Sequence, residues 1–295
     1  MPLVVEAPAK LNLFLEVLGR REDGYHEIDT VMQTVSLADR LTLEPSDRIE
    51  LEVTGDAPAD STNLAWRAAD ALGAPLKILL EKRIPAGAGL GGGSSDAAAV
   101  LWAGNRLLDL GLTHGELSRR AAALGADVPF FLRGGLARCR GIGERVEPVS
   151  PAPQKRFLIV APERRCSTAA VYGAFRPPLT EKRQIATVFL ETYCVEEGPG
   201  QTPCFNRLQA AAEGLDPDLR RIREAAEAEF GAAFTMTGSG AAYFAVLEKG
   251  SCPEGARTVL GGIPAWVGAV EARGDNEDND SKKRPWTSPR SESSS

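Results

Sequence analysis

The first stretch of the chain alternates apolar and polar residues, which predicts a β-strand. From residue 3 to residue 15 the odd positions are all apolar, whereas Lys10, Asn12 and Glu16 fall on the opposite face. A period of two is typical of a strand that buries one face and leaves the other in solvent. We therefore expect a half-buried strand over residues 3–17, with Lys10 and Asn12 together on its polar face. On this pattern alone, a solvated lysine is the simplest interpretation of Lys10.

Later patterns predict a mixture of strands and helices. One strand-like run ends near residue 37, and four others cover residues 41–53, 76–82, 157–160 and 243–247. Three helical patterns are present. The first begins at Asn63 and ends at Gly73, the second follows the glycine-rich stretch 87–93 and ends near Gly111, and the third begins at the capping box of Thr113 and ends at Gly125.

A glycine-rich stretch lies between the predicted strand 76–82 and an alanine-rich helix. Residues 84–99 read IPAGAGLGGGSSDAAA. Glycines allow successive backbone N–H groups to face one anion, and the N-terminus of the following helix adds a partial positive charge. We expect Ser94, Ser95 or Asp96 to cap that helix. The stretch predicts a phosphate-binding loop in preference to a linker or a structural turn.

Two common phosphate motifs fit this stretch less well. The spacing of Gly87, Gly89 and Gly92 satisfies the dinucleotide pattern, but three residues separate the strand from the first glycine. The acidic residue expected about 20 positions later at a strand end is also missing. A P-loop would need a lysine where Gly93 and Ser94 stand. A dinucleotide-dependent oxidoreductase is therefore a disfavoured alternative.

Composition narrows the class of protein. The chain has 295 residues, of which 43% are hydrophobic and 25% charged, as expected for one large or two medium globular domains. Its net charge of -6 argues against general nucleic-acid binding. The five scattered cysteines indicate reduced thiols, and neither a signal pattern nor an apolar run of membrane-spanning length is found. We expect a cytoplasmic protein that binds neither membranes nor nucleic acid.

Four segments resemble motifs of the GHMP kinases, which phosphorylate galactose, homoserine, mevalonate and phosphomevalonate. They are PAKLNL at 8–13, PAGAGLGGGSS at 85–95, GADVP at 125–129 and TMTGSGA at 235–241. The resemblance covers residues 4–247. Within the family, the chain most resembles the branch that phosphorylates the 2-hydroxyl of 4-diphosphocytidyl-2-C-methyl-D-erythritol in non-mevalonate isoprenoid synthesis. A GHMP kinase for another small alcohol and a noncatalytic nucleotide-binding relative are the alternatives.

The resemblance implies an α+β, two-domain GHMP kinase fold. Its N-terminal domain, residues 1–150, would be related to ribosomal protein S5 domain 2, and its C-terminal domain, residues 151–273, would be ferredoxin-like. The proline-rich break PVSPAP at 148–153 is the expected boundary. Residues 274–295 are polar and are expected to form a disordered tail. The oligomeric state stays open between monomer and homodimer.

The resemblance also implies the catalytic residues and the cofactors, ATP and Mg²⁺. Asp127 would accept the proton of the substrate hydroxyl, although it is equally placed to cap the helix that contains Pro129. Lys10 would lie near the transferred phosphate. The implied ATP-binding residues are Pro85, Ala86, Gly87, Ala88, Gly89, Leu90, Gly91, Gly92, Gly93, Ser94 and Ser95, with Asn63 and Lys82 beside the nucleotide.

The implied substrate site selects a cytidine compound. Tyr25 would stack on the base, His26 would bond its polar edge, and Tyr172 would close the other side, unless Tyr172 is a core residue. Asn12 and Thr168 would contact the substrate. The segment 206–209, NRLQ, departs from the family's usual Asn-Asp-x-Glu, and we interpret it as structural.

Overall fold

The computed structural model describes residues 1–73, 75–176, 185–195, 203–247 and 255–274. Its strands are β1 (Leu3–Arg20), β2 (His26–Pro45), β3 (Glu50–Thr54), β4 (Leu76–Glu81), β5 (Leu136–Gly141), β6 (Arg145–Pro148), β7 (Arg156–Pro162), β8 (Phe205–Asn206), β9 (Thr235–Met236), β10 (Tyr243–Leu247), β11 (Ala256–Leu260) and β12 (Ile263–Glu271). Its helices are α1 (Leu64–Leu72), α2 (Gly92–Leu107), α3 (His114–Leu124), α4 (Val128–Arg133), α5 (Thr168–Ala174), α6 (Ala186–Val195), α7 (Gln209–Leu215) and α8 (Pro217–Phe230). The predicted tail lies outside the described residues from position 275 onward, as does Cys252.

The first sheet is built around the long antiparallel pair of β1 and β2. Its order is β3-β4-β2-β1-β8, and β5 pairs with β2 and carries β6. The single strand predicted over 41–53 is wrong, because β2 ends at Pro45 and the chain turns before β3 pairs in parallel with β4. Proline lacks the N–H group that would continue a ladder of hydrogen bonds, so a strand commonly ends there.

β1 is buried on both faces between Ala7 and Val17, whereas its alternation predicted one solvated face. The register with β2 shifts between Pro8 and Lys10, as a β-bulge does. Val5 and Ala7 pack in the core that α1 to α4 share, whereas Ala9, Leu11 and Leu13 pack in a second core between the sheets. The bulge therefore moves Lys10 toward the helices, and the prediction of a solvent-facing polar side is wrong.

The second sheet has the order β11-β12-β7-β10-β9. Residues of α5, α7 and α8 pack on it, and Tyr243 of β10 is among its fully buried side chains. Its other face shares a core with β1, where Phe157 and Phe244 meet Leu11 and Leu13.

The two halves of the chain meet at β1. β8, which follows the second half's first helices, pairs in parallel with β1 through Leu15 and Asn206. The first sheet thus holds a strand from the C-terminal half, and a site beside β1 receives residues from both halves. The division into 1–150 and 151–273 remains a prediction.

Candidate active site

The glycine-rich stretch forms a loop between β4 and α2, which we name the glycine loop (residues 84–91). Gly87, Gly89 and Gly91 have φ angles of 66°, 79° and 74°, which residues with a Cβ rarely adopt. Gly91 caps α2 without a side-chain hydrogen bond, so the cap predicted at 94–96 is wrong. The first backbone N–H groups of α2 consequently have no side-chain cap, which leaves them available to an anion.

The glycine loop is held from two sides. The backbone N–H of Lys10 donates to the carbonyl of Leu90 at 2.9 Å. On the other side, residues 237–240 form a second glycine turn, and a Cβ on Gly89 would lie only 2.5 Å from the carbonyl oxygen of Thr237. Glycine at position 89 is therefore required by close backbone packing as well as by its φ angle.

Lys10 and Asp127 form the charged centre of the site. The ammonium of Lys10 lies 3.7 Å from the carboxylate of Asp127 and also donates to the side-chain oxygen of Asn12. Burial lowers the pKa of Lys10, and the Asp127 carboxylate partly offsets this shift. The Lys10 side chain is only 4% exposed, whereas that of Asp127 is 31% exposed. The lysine is thus fixed in the protein, while the carboxylate also faces open space.

Asp127 is not the side-chain cap that the sequence predicts. It precedes α4 with helical backbone angles, and its carboxylate makes no capping hydrogen bond. The carboxylate instead pairs with Lys10 of β1. The capping prediction is wrong because a tertiary contact uses this side chain, and a local pattern cannot reveal such a contact.

Asn12 links β1 to the second glycine turn. Its backbone N–H donates to the hydroxyl oxygen of Thr237 at 3.0 Å, and its side-chain amide donates to the hydroxyl of Thr30 at 2.9 Å. These contacts orient the side-chain oxygen of Asn12 toward the ammonium of Lys10.

A cavity of about 1250 Å³ opens beside the charged pair. The predicted site residues that line it are Lys10, Asn12, Tyr25, His26, Gly89, Gly91, Ser94, Asp127, Thr168 and Tyr172. The predicted residues outside this lining are Pro85, Ala86, Gly87, Ala88, Leu90, Gly92, Gly93, Ser95, Asn63 and Lys82. The structure therefore brings the predicted catalytic and substrate residues to one cavity, with two glycines of the loop on its wall.

Aromatic rings line another part of the cavity. The rings of His26 and Tyr172 lie 5.0 Å apart at an interplanar angle of 31°. Tyr25 is 61% exposed, which is unusual for a tyrosine and leaves its ring accessible. Burial and the charge of Arg20 lower the pKa of His26, which favours the neutral imidazole. A neutral imidazole can both donate and accept a hydrogen bond.

Comparison with known proteins identifies the family. The family described as "GHMP kinases N terminal domain" matches residues 63–135. The 4-diphosphocytidyl-2-C-methyl-D-erythritol kinase of Thermus thermophilus is 42% identical over 266 residues, which cover 88% of this chain and 92% of that protein. The chain belongs to the GHMP kinase family.

Two further comparisons agree with this assignment. The kinase of the same name from Bacillus cereus is 38% identical over 290 residues, which cover 94% of this chain and 99% of that one. A crystal structure of 4-(cytidine 5'-diphospho)-2C-methyl-D-erythritol kinase has a TM-score of 0.72 at 38% identity, with 91% of this chain and 99% of that chain covered. The α+β GHMP kinase fold expected from the sequence is confirmed, and the protein is a phosphotransferase that acts on an alcohol.

Lys82 of this GHMP kinase contacts two carboxylates inside the protein. Its ammonium donates to Asp96 at 2.7 Å and also to Asp39. Asp39 in turn accepts hydrogen bonds from the backbone N–H groups of Arg83 and Ile84, at 2.5 and 2.8 Å. The side chains of Lys82, Asp39 and Asp96 are at most 7% exposed. This cluster ties the start of the glycine loop to α2.

Asn63 caps α1. Its side-chain oxygen accepts from the backbone N–H of Ala65 at 2.9 Å, and its amide donates to the carbonyl of Pro58 at 2.7 Å. The side chains of Asn63 and Lys82 thus have partners within the protein, and the ATP-binding roles implied for them remain predictions.

Sequence reasoning missed the pair of Glu16 and Arg207. The guanidinium of Arg207 makes two hydrogen bonds to the Glu16 carboxylate, at 2.9 and 2.8 Å, and both residues line the cavity. The partners are 191 positions apart, so no local pattern connects them. The alternation of β1 placed Glu16 on the same face as Lys10 and Asn12, and this shared face was the one sequence feature that could have indicated Glu16 as a site residue.

We expect Gly89→Ala to weaken ADP binding by more than about tenfold, a loss of about 1.4 kcal/mol. The added Cβ would displace the Thr237 carbonyl and so distort the glycine loop. Titration calorimetry measures this effect. Gly111→Ala is the matched control, because Gly111 has a similar φ angle of 67° but no atom within 4 Å of an added Cβ. Equal binding by both variants would contradict the prediction.

We expect Asp96→Asn to remove a pH dependence of stability. Burial and the neighbouring Asp39 raise the pKa of Asp96 to about 7 from its ordinary value of 3.8, against the opposing effect of Lys82. Between these values the folded protein holds a proton that the unfolded chain releases, so the free energy of unfolding falls as pH rises.

Urea unfolding at about pH 5 and about pH 8 tests this expectation. Wild type should lose stability relative to Asp96→Asn at the higher pH. Asp70→Asn, at an exposed position of α1, should follow wild type at both pH values. A parallel response of wild type and Asp96→Asn would show that Asp96 is not the titrating group.

Proposed function

We propose that the protein transfers the terminal phosphate of ATP to the 2-hydroxyl of 4-diphosphocytidyl-2-C-methyl-D-erythritol. The observation that carries this proposal is that one cavity is lined by two kinds of residue. Glycine-loop residues and the Lys10–Asp127 pair suit phosphoryl transfer, while Tyr25, His26 and Tyr172 suit a nucleobase. The names of the relatives at 42% and 38% identity support the same substrate.

The glycine loop and the first turn of α2 would hold the phosphates of ATP. The uncapped N-terminus of α2 carries a partial positive charge and free N–H donors, which favour an anion. The chain as a whole has a net charge of -6, so a polyanion must be held by such local features. Gly89, Gly91 and Ser94 are the members of this segment on the cavity wall.

Asp127 would orient and deprotonate the acceptor hydroxyl. Its carboxylate is partly exposed to the cavity and 3.7 Å from the ammonium of Lys10. The ammonium would stabilise negative charge on the reacting oxygens. Phosphoryl transfer depends mainly on positioning and electrostatic stabilisation, and this buried, hydrogen-bonded lysine supplies both.

The aromatic residues would bind the cytosine. Stacking of a base on an aromatic ring contributes about 1–3 kcal/mol. Tyr25 presents an exposed ring, and the neutral His26 beside Tyr172 can donate and accept hydrogen bonds at the polar edge of a base. Thr168 and Asn12 would contact the rest of the substrate.

The cavity also suits a magnesium ion. Mg²⁺ in phosphotransferases is held by one or two protein oxygens, phosphate oxygens and water. The hydroxyl of Ser94 is an oxygen donor on the cavity wall, and it would hold the ion together with phosphate oxygens of the nucleotide. No group of three acidic, histidine or cysteine side chains within the described residues forms a metal site by itself. When bound, Mg²⁺ would offset the charge of the phosphates.

We also propose a cytoplasmic enzyme that is a monomer or a homodimer and does not bind nucleic acid. Cys139, Cys166, Cys194 and Cys204 are free thiols, which agrees with a reducing compartment. Among the described residues, none of the helices has the length and apolar character needed to cross a bilayer.

We expect ADP release from Mg·ATP with the cytidine compound, but not with mevalonate, homoserine or galactose. The aromatic lining discriminates because the last three compounds have no base to stack. A coupled assay of purified protein measures turnover. Asp127→Asn is the control, since it keeps the shape of the side chain but removes the carboxylate that would accept the proton of the acceptor hydroxyl. Turnover of another alcohol alone, or undiminished turnover by Asp127→Asn, would contradict the proposal.

We expect Tyr25→Ala to raise KM for the cytidine compound by about tenfold or more, because the stacking surface is lost. KM for ATP should change by less than about twofold. Steady-state kinetics with each substrate varied in turn measures both values, and Tyr25→Phe should behave as wild type because it keeps the ring. Equal increases in both KM values would remove the stacking role.

A further inference from the structure

The segment that sequence reasoning took as structural makes unusual contacts. Asn206, in β8, is 8% exposed, and its side-chain amide donates to the carbonyls of Met236 and Gly238 at 2.7 Å each. Its side-chain oxygen accepts from the backbone N–H of Leu208 at 2.9 Å. Both amide hydrogens are therefore used on the strand and turn that follow Thr235.

A second residue of this segment holds the same strand. The side-chain oxygen of Gln209 accepts from the backbone N–H of Met236 at 3.0 Å. The hydroxyl of Thr235 donates to the carbonyl of Cys204 at 3.3 Å. Residues 204–209 thus contact both residues of β9 and the second glycine turn.

The second glycine turn reaches the catalytic pair. Thr237 bonds to the backbone N–H of Asn12 at 3.0 Å, and a Cβ on Gly238 would lie 3.2 Å from the ammonium of Lys10. The hydroxyls of Ser239 and Thr168 lie 2.8 Å apart, so the same turn also contacts α5. A shift of the turn would therefore move Asn12, and with it the ammonium of Lys10.

We infer that Asn206 is a positioning residue for the Lys10–Asp127 pair. Its amide binds one carbonyl just before the second glycine turn and one within it, and the turn bonds to Asn12 beside Lys10. Asn206 itself is absent from the lining of the cavity, so it acts through these neighbours. The inference rests on the proposed function for the roles of Lys10 and Asp127 in catalysis.

Asn206→Asp is the decisive variant. It keeps the size of the side chain but replaces both N–H donors with an oxygen that faces two carbonyls. We expect kcat at saturating substrates to fall by about tenfold or more, because small displacements of positioned groups are costly. KM for the cytidine compound should change by less than about threefold, since the aromatic lining is untouched.

Hydrogen exchange supplies a readout that does not require activity. Peptides that cover residues 235–240 should exchange faster in Asn206→Asp than in wild type, while peptides of β1 before the bulge should not change. Arg164→Gln is the comparator, because it removes ion pairs with Asp216, the cap of α8, and with Asp218 in the same half of the protein. It should lower the melting temperature without lowering kcat. If Asn206→Asp does not fold, Asn206→Ser, which reaches one carbonyl at most, replaces it in every measurement.

The outcomes separate this inference from the proposed function. Wild-type inactivity on the cytidine compound would defeat the proposed function, and the exchange of residues 235–240 would still decide whether Asn206 holds the turn. Normal wild-type activity with kcat of Asn206→Asp within about twofold would overturn the inference alone. A loss of kcat without faster exchange at the turn, or one that Arg164→Gln reproduces, would overturn it as well.

Discussion

The burial of the Lys10 ammonium is the constraint on which the rest of the site depends. A charge removed from water costs several kcal/mol unless it is paired and hydrogen-bonded. Two groups offset this cost: the carboxylate of Asp127, from the segment before α4, and the side-chain amide of Asn12, from β1. Thr237, in the turn beside the second sheet, orients that amide. The three parts come from distant positions, so the charge is stable only when both sheets are assembled around β1.

The two buried lysines, Lys82 and Lys10, differ in how exposed their carboxylate partners are. Lys82 lies between two carboxylates that are almost inaccessible, and this closed cluster joins the glycine loop to α2. Within the described ranges, Lys10 pairs with one carboxylate, that of Asp127, which faces the cavity. The same type of side chain therefore stabilises a loop in one place and leaves a carboxylate available to a ligand in the other.

At one end of the site, two backbone segments, the glycine loop and the second glycine turn, are packed directly against each other. The glycine loop and the second glycine turn approach so closely that a Cβ on Gly240 would lie 2.6 Å from the backbone nitrogen of Gly89. Glycine at both positions permits this approach, and the turn contacts both the loop and β1. The glycine loop and Asn12 of β1 thus share one support, which couples their positions.

The sequence by itself determined local features: the glycine loop, the capping box of α3, helices α1 to α3, strands such as β4 and β10, and the motifs that indicate the GHMP kinase family. These depend on backbone freedom, on capping and on short-range periodicity, which neighbouring residues decide. Tertiary structure alone decided that a bulge moves Lys10 to the helical side of β1, that Asp127 pairs with this lysine instead of capping α4, and that Lys82 is enclosed. It also decided that Asn206 and Arg207 lie against the site. These contacts join residues far apart in the chain, and their energies depend on burial, which exists only once the two sheets have packed.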